Sequence, residues 1–233
     1  MIILSIGGKS NLYSEIEKNR SIKKNYEEVA ITATVKHTIK IKNASQFFLK
    51  EGPLAILPFK KNIFSTVWSV SNDYFRDNEK DLKKILIEKL RKLLKSRKIK
   101  NVDYIQSFPI NLNLKTKYYK KNILILGDGL HTVHPIAGQG FNLVLRDIKK
   151  LVELISKKLN IGLLIKDSFL LKDFYNSRKP ENNLFGLGIN FTNSFFKDKK
   201  YFFFLKKEIL KNINKFEFVK KISQSIADKG IRL

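Results

Sequence analysis

The stretch Ile123-Leu-Ile-Leu-Gly-Asp-Gly-Leu-His-Thr-Val-His-Pro-Ile-Ala-Gly-Gln-Gly-Phe-Asn-Leu143 decides the fold of this chain. Residues 123–126 form a short apolar run between Asn122 and Gly127, the signature of a strand covered on both faces. Asp128 follows where that strand stops, and its flanking glycines let the backbone turn sharply and approach a ligand closely. Beyond Pro135, Gly138-Gln139-Gly140 opens a helical pattern carrying Phe141, Leu143, Val144, Ile148, Leu151, Val152 and Ile155, predicted to run from 139 to about 159. The first N–H groups of such a helix have no partner within it, so they converge on whatever lies in front of Gly138. Strand, acidic turn and glycine-led helix together read as a ligand cradle.

The full pattern is Gly127-Asp128-x-x-His131-x-x-x-Pro135-x-x-Gly138-Gln139-Gly140-x-Asn142-x-x-x-Arg146-Asp147. It resembles the second flavin-binding motif of the FAD-dependent aromatic hydroxylases built on the p-hydroxybenzoate hydroxylase fold, especially the ubiquinone-biosynthesis hydroxylases. A bare Gly-x-Gly at a helix start would be a weak signal. The aspartate, the proline and their spacing make this one specific. Glu51-Gly-Pro-Leu-Ala-Ile-Leu-Pro58 and Ser65-Thr-Val-Trp-Ser69 are similar to substrate-domain strands of the same subfamily. Phe108-Pro109, the Tyr118-Tyr119 approach and Phe174-Tyr-Asn-Ser-Arg-Lys-Pro180 extend the likeness.

The resemblance implies an α/β (α+β) fold: an incomplete FAD-binding Rossmann-like domain, an inserted, mainly antiparallel β substrate domain, and a C-terminal helical region. The corresponding divisions are 1–20 as a remnant of the FAD-binding domain, 21–117 as the β-sheet substrate domain with one helix, 118–160 as the FAD-binding strand, loop and helix, and 161–233 as C-terminal helices. It further implies a monooxygenase that places one oxygen atom of dioxygen on an electron-rich, polyprenylated phenol, with electrons from NAD(P)H or a ferredoxin. By motif matching, Gly127 and Asp128 contact the ribityl chain and Pro135 lies near the reactive edge of the ring. Gly138, Gln139, Gly140, Phe141 and Asn142 aim backbone N–H groups at the pyrimidine oxygen. No catalytic residue is assigned. His131 and His134 are expected to fix the loop, and Arg146 and Asp147, adjacent on a helix, to pair with other partners.

Three departures accompany the likeness. The N-terminal Gly-x-Gly-x-x-Gly turn that seats the ADP half of FAD has no counterpart, so the chain is expected to be the C-terminal part of such a hydroxylase, truncated or working with a separately encoded half. Gly7, in Ile6-Gly7-Gly8-Lys9, stands where relatives carry an aspartate. Leu130 stands where they carry a small residue, and its bulk is expected to crowd the flavin. A noncatalytic remnant, or a basic module binding membranes or partners, stays open beside the enzymatic reading.

Composition narrows the alternatives. The chain has 233 residues, 43% hydrophobic, enough for a substantial core. It has no cysteine, which excludes disulfides, a thiolate nucleophile and sulfur metal ligands. His37, His131 and His134 are the only histidines, without a nearby acidic cluster, so no metal site is expected. The formal charge of +25 invites a nucleic-acid partner. Its lysines, however, are spread along the chain with abundant Ile and Asn, as an AT-rich genome writes them, and no nucleic-acid motif is present. A cytoplasmic protein, peripheral at most on the inner membrane face, is expected.

Elsewhere, 1–8 reads as a strand and 9–26 as a polar connection. Strands are predicted at 29–41, 47–49, 54–58, 64–70 and 102–114, and a helix at 81–96. Further helices are predicted at 163–175 and 181–196, with an amphipathic tail at 200–227 that docks on the protein or lies at a membrane surface.

Overall fold

The computed structural model describes residues 1–8, 10–13, 21–135, 138, 140–165 and 168–197, excepting the side chains of 168 and 190–197. The predicted tail at 200–227 and Gln139 lie outside the described residues. In chain order the elements are β1 (Ile2–Leu4), β2 (Ser21–His37), β3 (Ser45–Phe48), β4 (Pro53–Lys60), β5 (Ile63–Ser71), α1 (Asn72–Asn78), α2 (Leu82–Leu93) and β6 (Ile99–Lys115). Then follow β7 (Tyr119–Lys120), β8 (Ile123–Ile125), β9 (His131–Thr132), α3 (Gly140–Asn160) and α4 (Ser168–Lys197). They fall into two compact units, Met1–Lys24 with Leu112–Leu233, and Asn25–Asn111.

In the Asn25–Asn111 unit the strands run in the order β3-β4-β5-β2-β6, with β3/β4, β4/β5 and β5/β2 antiparallel. Register sets which side chains share a face. Ile31 faces Trp68, Ala33 faces Thr66 and Val35 faces Phe64, while Leu54 and Ile56 of β4 oppose Trp68 and Thr66. All of these are buried. Helix α2 lays Leu82, Leu86 and Leu90 on this apolar face and leaves Lys83, Lys84 and Lys92 in solvent. Each buried leucine contributes about 2 kcal/mol. The opposite face carries the smaller, half-buried Thr32, Thr34, Ser65 and Val67. At the β3–β4 turn Gly52 has φ +143°, and a methyl group there would fall 1.9 Å from the Ser69 carbonyl oxygen, so only glycine fits.

Glu51 meets Lys89 at 2.8 Å, and the Lys89 ammonium stands 5.2 Å over the Trp68 ring. Partial burial raises the Glu51 carboxyl, but hydrogen bonding and charge from Lys89 outweigh it and hold the group below its ordinary value.

Several boundaries differ from the sequence expectation. Residues 21–26, predicted as a connection, begin β2, because exposed Lys23 and Lys24 mask the period that buried Tyr26 and Glu28 continue. The predicted helix at 81–96 ends at Leu93 because Lys95 turns left-handed at φ 47° and the Ser96 N–H bonds back to the Arg91 carbonyl. Helix α1 was absent from the prediction. It is seven residues long and starts where the Ser71 hydroxyl accepts the Tyr74 N–H at 3.2 Å.

The other unit is built on a three-stranded sheet ordered β1-β8-β7, with β1 parallel and β7 antiparallel to β8. Central β8 brings Leu124 and Ile125 into a core with Leu126, Leu130, Tyr118, Leu151, Leu171 and Phe174. Helix α4 corrects the prediction of two helices: it runs unbroken through Pro180. An interior proline costs about 3 kcal/mol of helix stability. Buried Phe174 and Arg178 before it, and Asn182, Phe185 and Ile189 after it, anchor both halves.

Candidate functional site

The turn after β8 is built by glycine. Gly127 adopts φ +80° and Gly127–Gly129 forms one 3-10 turn, closed by the Leu130 N–H donating to the Gly127 carbonyl at 2.9 Å. Gly129 is confined by packing, since a methyl group there would lie 2.3 Å from the Tyr13 ring. Tyr13 also accepts the Ile6 N–H on its hydroxyl at 3.3 Å and sits under the Lys115 ammonium at 5.7 Å. The segment holding Gly7 and Gly8 thus closes on the turn. A methyl group on Gly8 would come 3.2 Å from the Asp128 carbonyl oxygen, whereas one on Gly7 would meet nothing within 4 Å.

Asp128 itself is exposed at the tip of the turn. Its backbone carbonyl accepts the Thr132 hydroxyl at 3.2 Å. Leu130 does not bear out the expectation of crowding: it is 1% exposed, and the core of the unit takes up its bulk. Pro135 is exposed, and the Gly138 N–H donates to its carbonyl at 3.0 Å. Gly138 adopts φ +59° with nothing within 4 Å of an added methyl group, and Gly140 meets only Val133, at 3.6 Å. Among the described residues, then, nothing crowds the backbone at these two glycines. Phe141 is 70% exposed and Asn142 half-buried. Gln139, between the two glycines, lies outside the described residues.

These positions share one physical character. Helix α3 spans 21 residues and carries no acidic residue in its first turn, so its N-terminal partial positive charge is not internally compensated there. An exposed carboxylate ends the strand, and backbone donors begin the helix. The pair suits a ligand presenting hydroxyl donors at one end and carbonyl acceptors at the other. The polar edge and ribityl chain of a flavin meet that description, so the residues present fit the group.

Behind the loop lies a polar cluster whose partners sequence reading missed. Asp147, fully buried on α3, has Oδ2 2.7 Å from His131 Nε2 and accepts the Arg178 Nε–H on Oδ1 at 2.6 Å. Asn182 donates to Asp147 Oδ1 at 3.1 Å and accepts from Arg178 at 2.9 Å, while Arg178 also pairs with Glu181. Asn182 Nδ2 further reaches the Tyr118 hydroxyl at 3.3 Å. Burial pushes that hydroxyl well above the ordinary phenol range, the bond from Asn182 opposing it. Asp147 was expected to have partners off its own helix, and it does. Arg178 and Asn182 lie 31 and 35 residues away, a separation at which no local pattern identifies them. Their spacing of four on one helix face was the available signal.

Among the described residues no helix is long and apolar enough to cross a membrane. The chain is 28% identical over 228 residues to a mitochondrial ubiquinone biosynthesis monooxygenase of Dictyostelium discoideum, an alignment covering 78% of this chain and 46% of that protein. It is 30% identical over 166 residues to a ubiquinone hydroxylase of Rhodospirillum rubrum, covering 68% of this chain and 38% of the relative. The chain thus spans less than half the length of these curated relatives. Among solved structures, p-nitrophenol 4-monooxygenase from Pseudomonas putida superposes with a TM-score of 0.79 at 14% identity, over 99% of this chain and 59% of that one. A probable FAD-dependent monooxygenase from Pseudomonas aeruginosa gives 0.69 at 18% identity, over 85% and 56%. At those identities the likeness is one of fold. The FAD binding domain family model matches residues 7–162, spanning the acidic turn, the glycine-led helix and the inserted sheet, and the chain belongs to that family.

Proposed function

We propose that this chain carries the flavin-facing and substrate-facing parts of an FAD-dependent monooxygenase that hydroxylates a polyprenylated phenol in ubiquinone biosynthesis. The observation that carries the reading is the exposed Asp128 at the end of β8, in the same unit as the glycine-led start to α3. The ubiquinone-pathway relatives point to the substrate class.

In this reading Asp128 accepts hydrogen bonds from the ribityl hydroxyls, and Gly127 lets the backbone pass beside them. Pro135 borders the reactive edge of the ring. Backbone donors from Gly138 through Asn142, Gln139 and Phe141 included, bind the pyrimidine oxygens, and the helix N-terminus favours negative charge there. Bound FAD supplies the activation of dioxygen, and the protein positions and polarises the ring. The Asn25–Asn111 unit serves as the substrate domain. Electrons come from NAD(P)H or a ferredoxin. The ADP-binding segment found in relatives acts on the same polypeptide or as a separately encoded half, and the enzyme meets its lipid-tailed substrate peripherally at a membrane surface.

The test is flavin titration of the purified chain, alone and with the ADP-binding segment of a relative. FAD fluorescence is expected to be quenched on binding. Asp128→Ala is expected to weaken binding about tenfold, the loss of hydrogen bonds to a charged acceptor. Absence of FAD binding in both preparations would overturn the reading.

A further inference from the structure

The buried cluster around Asp147 draws one member, His131, from the loop side of the site. Arg178 places its guanidinium between Asp147 Oδ1 and Glu181, and Asn182 adds a further donor to Asp147, so the buried carboxylate is held from α4 as well as from His131. The His131 Nε2 contact at 2.7 Å joins the loop to that frame and calls for an account of its own.

Its place in the chain supplies one. His131 lies three residues beyond Asp128, in β9, where it stands opposite Leu114 of β6. Asp147 lies seven residues beyond Gly140, two turns into α3. The bond consequently spans the loop between its strand side, which carries Asp128, and the helix whose first turn supplies the backbone donors. An ionised carboxylate can only accept, so Nε2 bears the hydrogen of this bond. Both groups are almost fully buried, so the bond is shielded from competing water. Asp147 is itself braced by α4 through Arg178 and Asn182. The loop is thereby referred to a frame of two helices.

We propose that His131, held by Asp147, is a positioning residue that fixes the loop bearing Asp128 against the first turn of α3, so that the two halves of the cradle are set before flavin arrives. This rests on the flavin reading above. Leucine fills much of the volume of the imidazole but cannot donate; glutamine can place an N–H near the position of Nε2. In His131→Leu, FAD binding weakens about tenfold or more, as misplacement of groups that do not themselves change commonly produces. In His131→Gln it stays within about threefold of the parent, because the donated hydrogen bond is restored.

The deciding experiment combines FAD titration with amide hydrogen exchange of residues 127–135 in the flavin-free chain. Exchange in that loop accelerates in His131→Leu and not in His131→Gln, while the Asn25–Asn111 unit is unchanged in both. Wild-type binding that His131→Leu retains in full would overturn the proposal, as would a His131→Gln variant as weak as His131→Leu. A parent chain that takes no FAD counts against the flavin reading alone. In that case exchange decides, and a loop indifferent to His131→Leu sinks the positioning role.

Discussion

Asp147 and His37 show how the same circumstance, burial of a polar side chain, has different consequences according to its partners. Asp147 is surrounded by donors from Arg178, Asn182 and His131, which replace the water it has lost. His37 is buried against Phe64, ring centroids 5.0 Å apart, and its Nδ1 accepts the Ile39 N–H at 3.1 Å. Burial lowers its proton affinity below the ordinary imidazole value. The unfolded chain therefore binds the proton more readily than the folded one. Stability contributed by neutral His37 is complete above the unfolded value of about 6.5 and is lost as pH falls below it toward the depressed folded value. Urea midpoints measured from pH 7.5 to 5 are expected to fall for the parent more steeply than for His37→Gln. Parallel curves would rule His37 out as a source of the acid sensitivity.

Among the elements, α4 departs most from what its sequence suggests. Pro180 is exposed, removes one backbone donor and crowds the carbonyl four residues before it, yet the helix continues. Long-range anchoring at Arg178 and Asn182 outweighs the local preference. Pro180→Ala should therefore raise the unfolding free energy of the unit by up to about 3 kcal/mol, read from urea denaturation followed by far-ultraviolet circular dichroism. A loss of stability would mean that the proline is serving the packing.

The same contrast explains what could be read in advance. The 123–143 stretch was legible because its signals are local: an apolar run, glycines where φ is positive, and helical periodicity from Phe141 onward. The inserted sheet was legible from its alternating β-branched residues. What escaped was set by distant partners or by brevity. Gly129 needs to be glycine because of Tyr13, and seven-residue α1 has too few turns to show a period. The first residues of β2 were hidden by lysines that cost nothing to expose.

For the molecule as a whole, ligand binding should stabilise unequally. A ligand that binds the folded form protects what it touches by mass action. Saturating FAD is expected to slow amide exchange in residues 112–160 and to leave the α2-covered sheet of Asn25–Asn111 at its ligand-free rates. Uniform protection across both units would contradict a cradle confined to β8 and α3. The chain enters the Asn25–Asn111 unit along β2 and leaves it along β6, and these are hydrogen-bonded neighbours in one sheet. A module whose two ends are adjacent strands can be exchanged as a cassette, its length and lining altered freely so long as the two splice points keep their pairing. Under the proposed function, such an arrangement would let specificity for the compound being oxidised diversify while the half that grips the redox cofactor stays as it is.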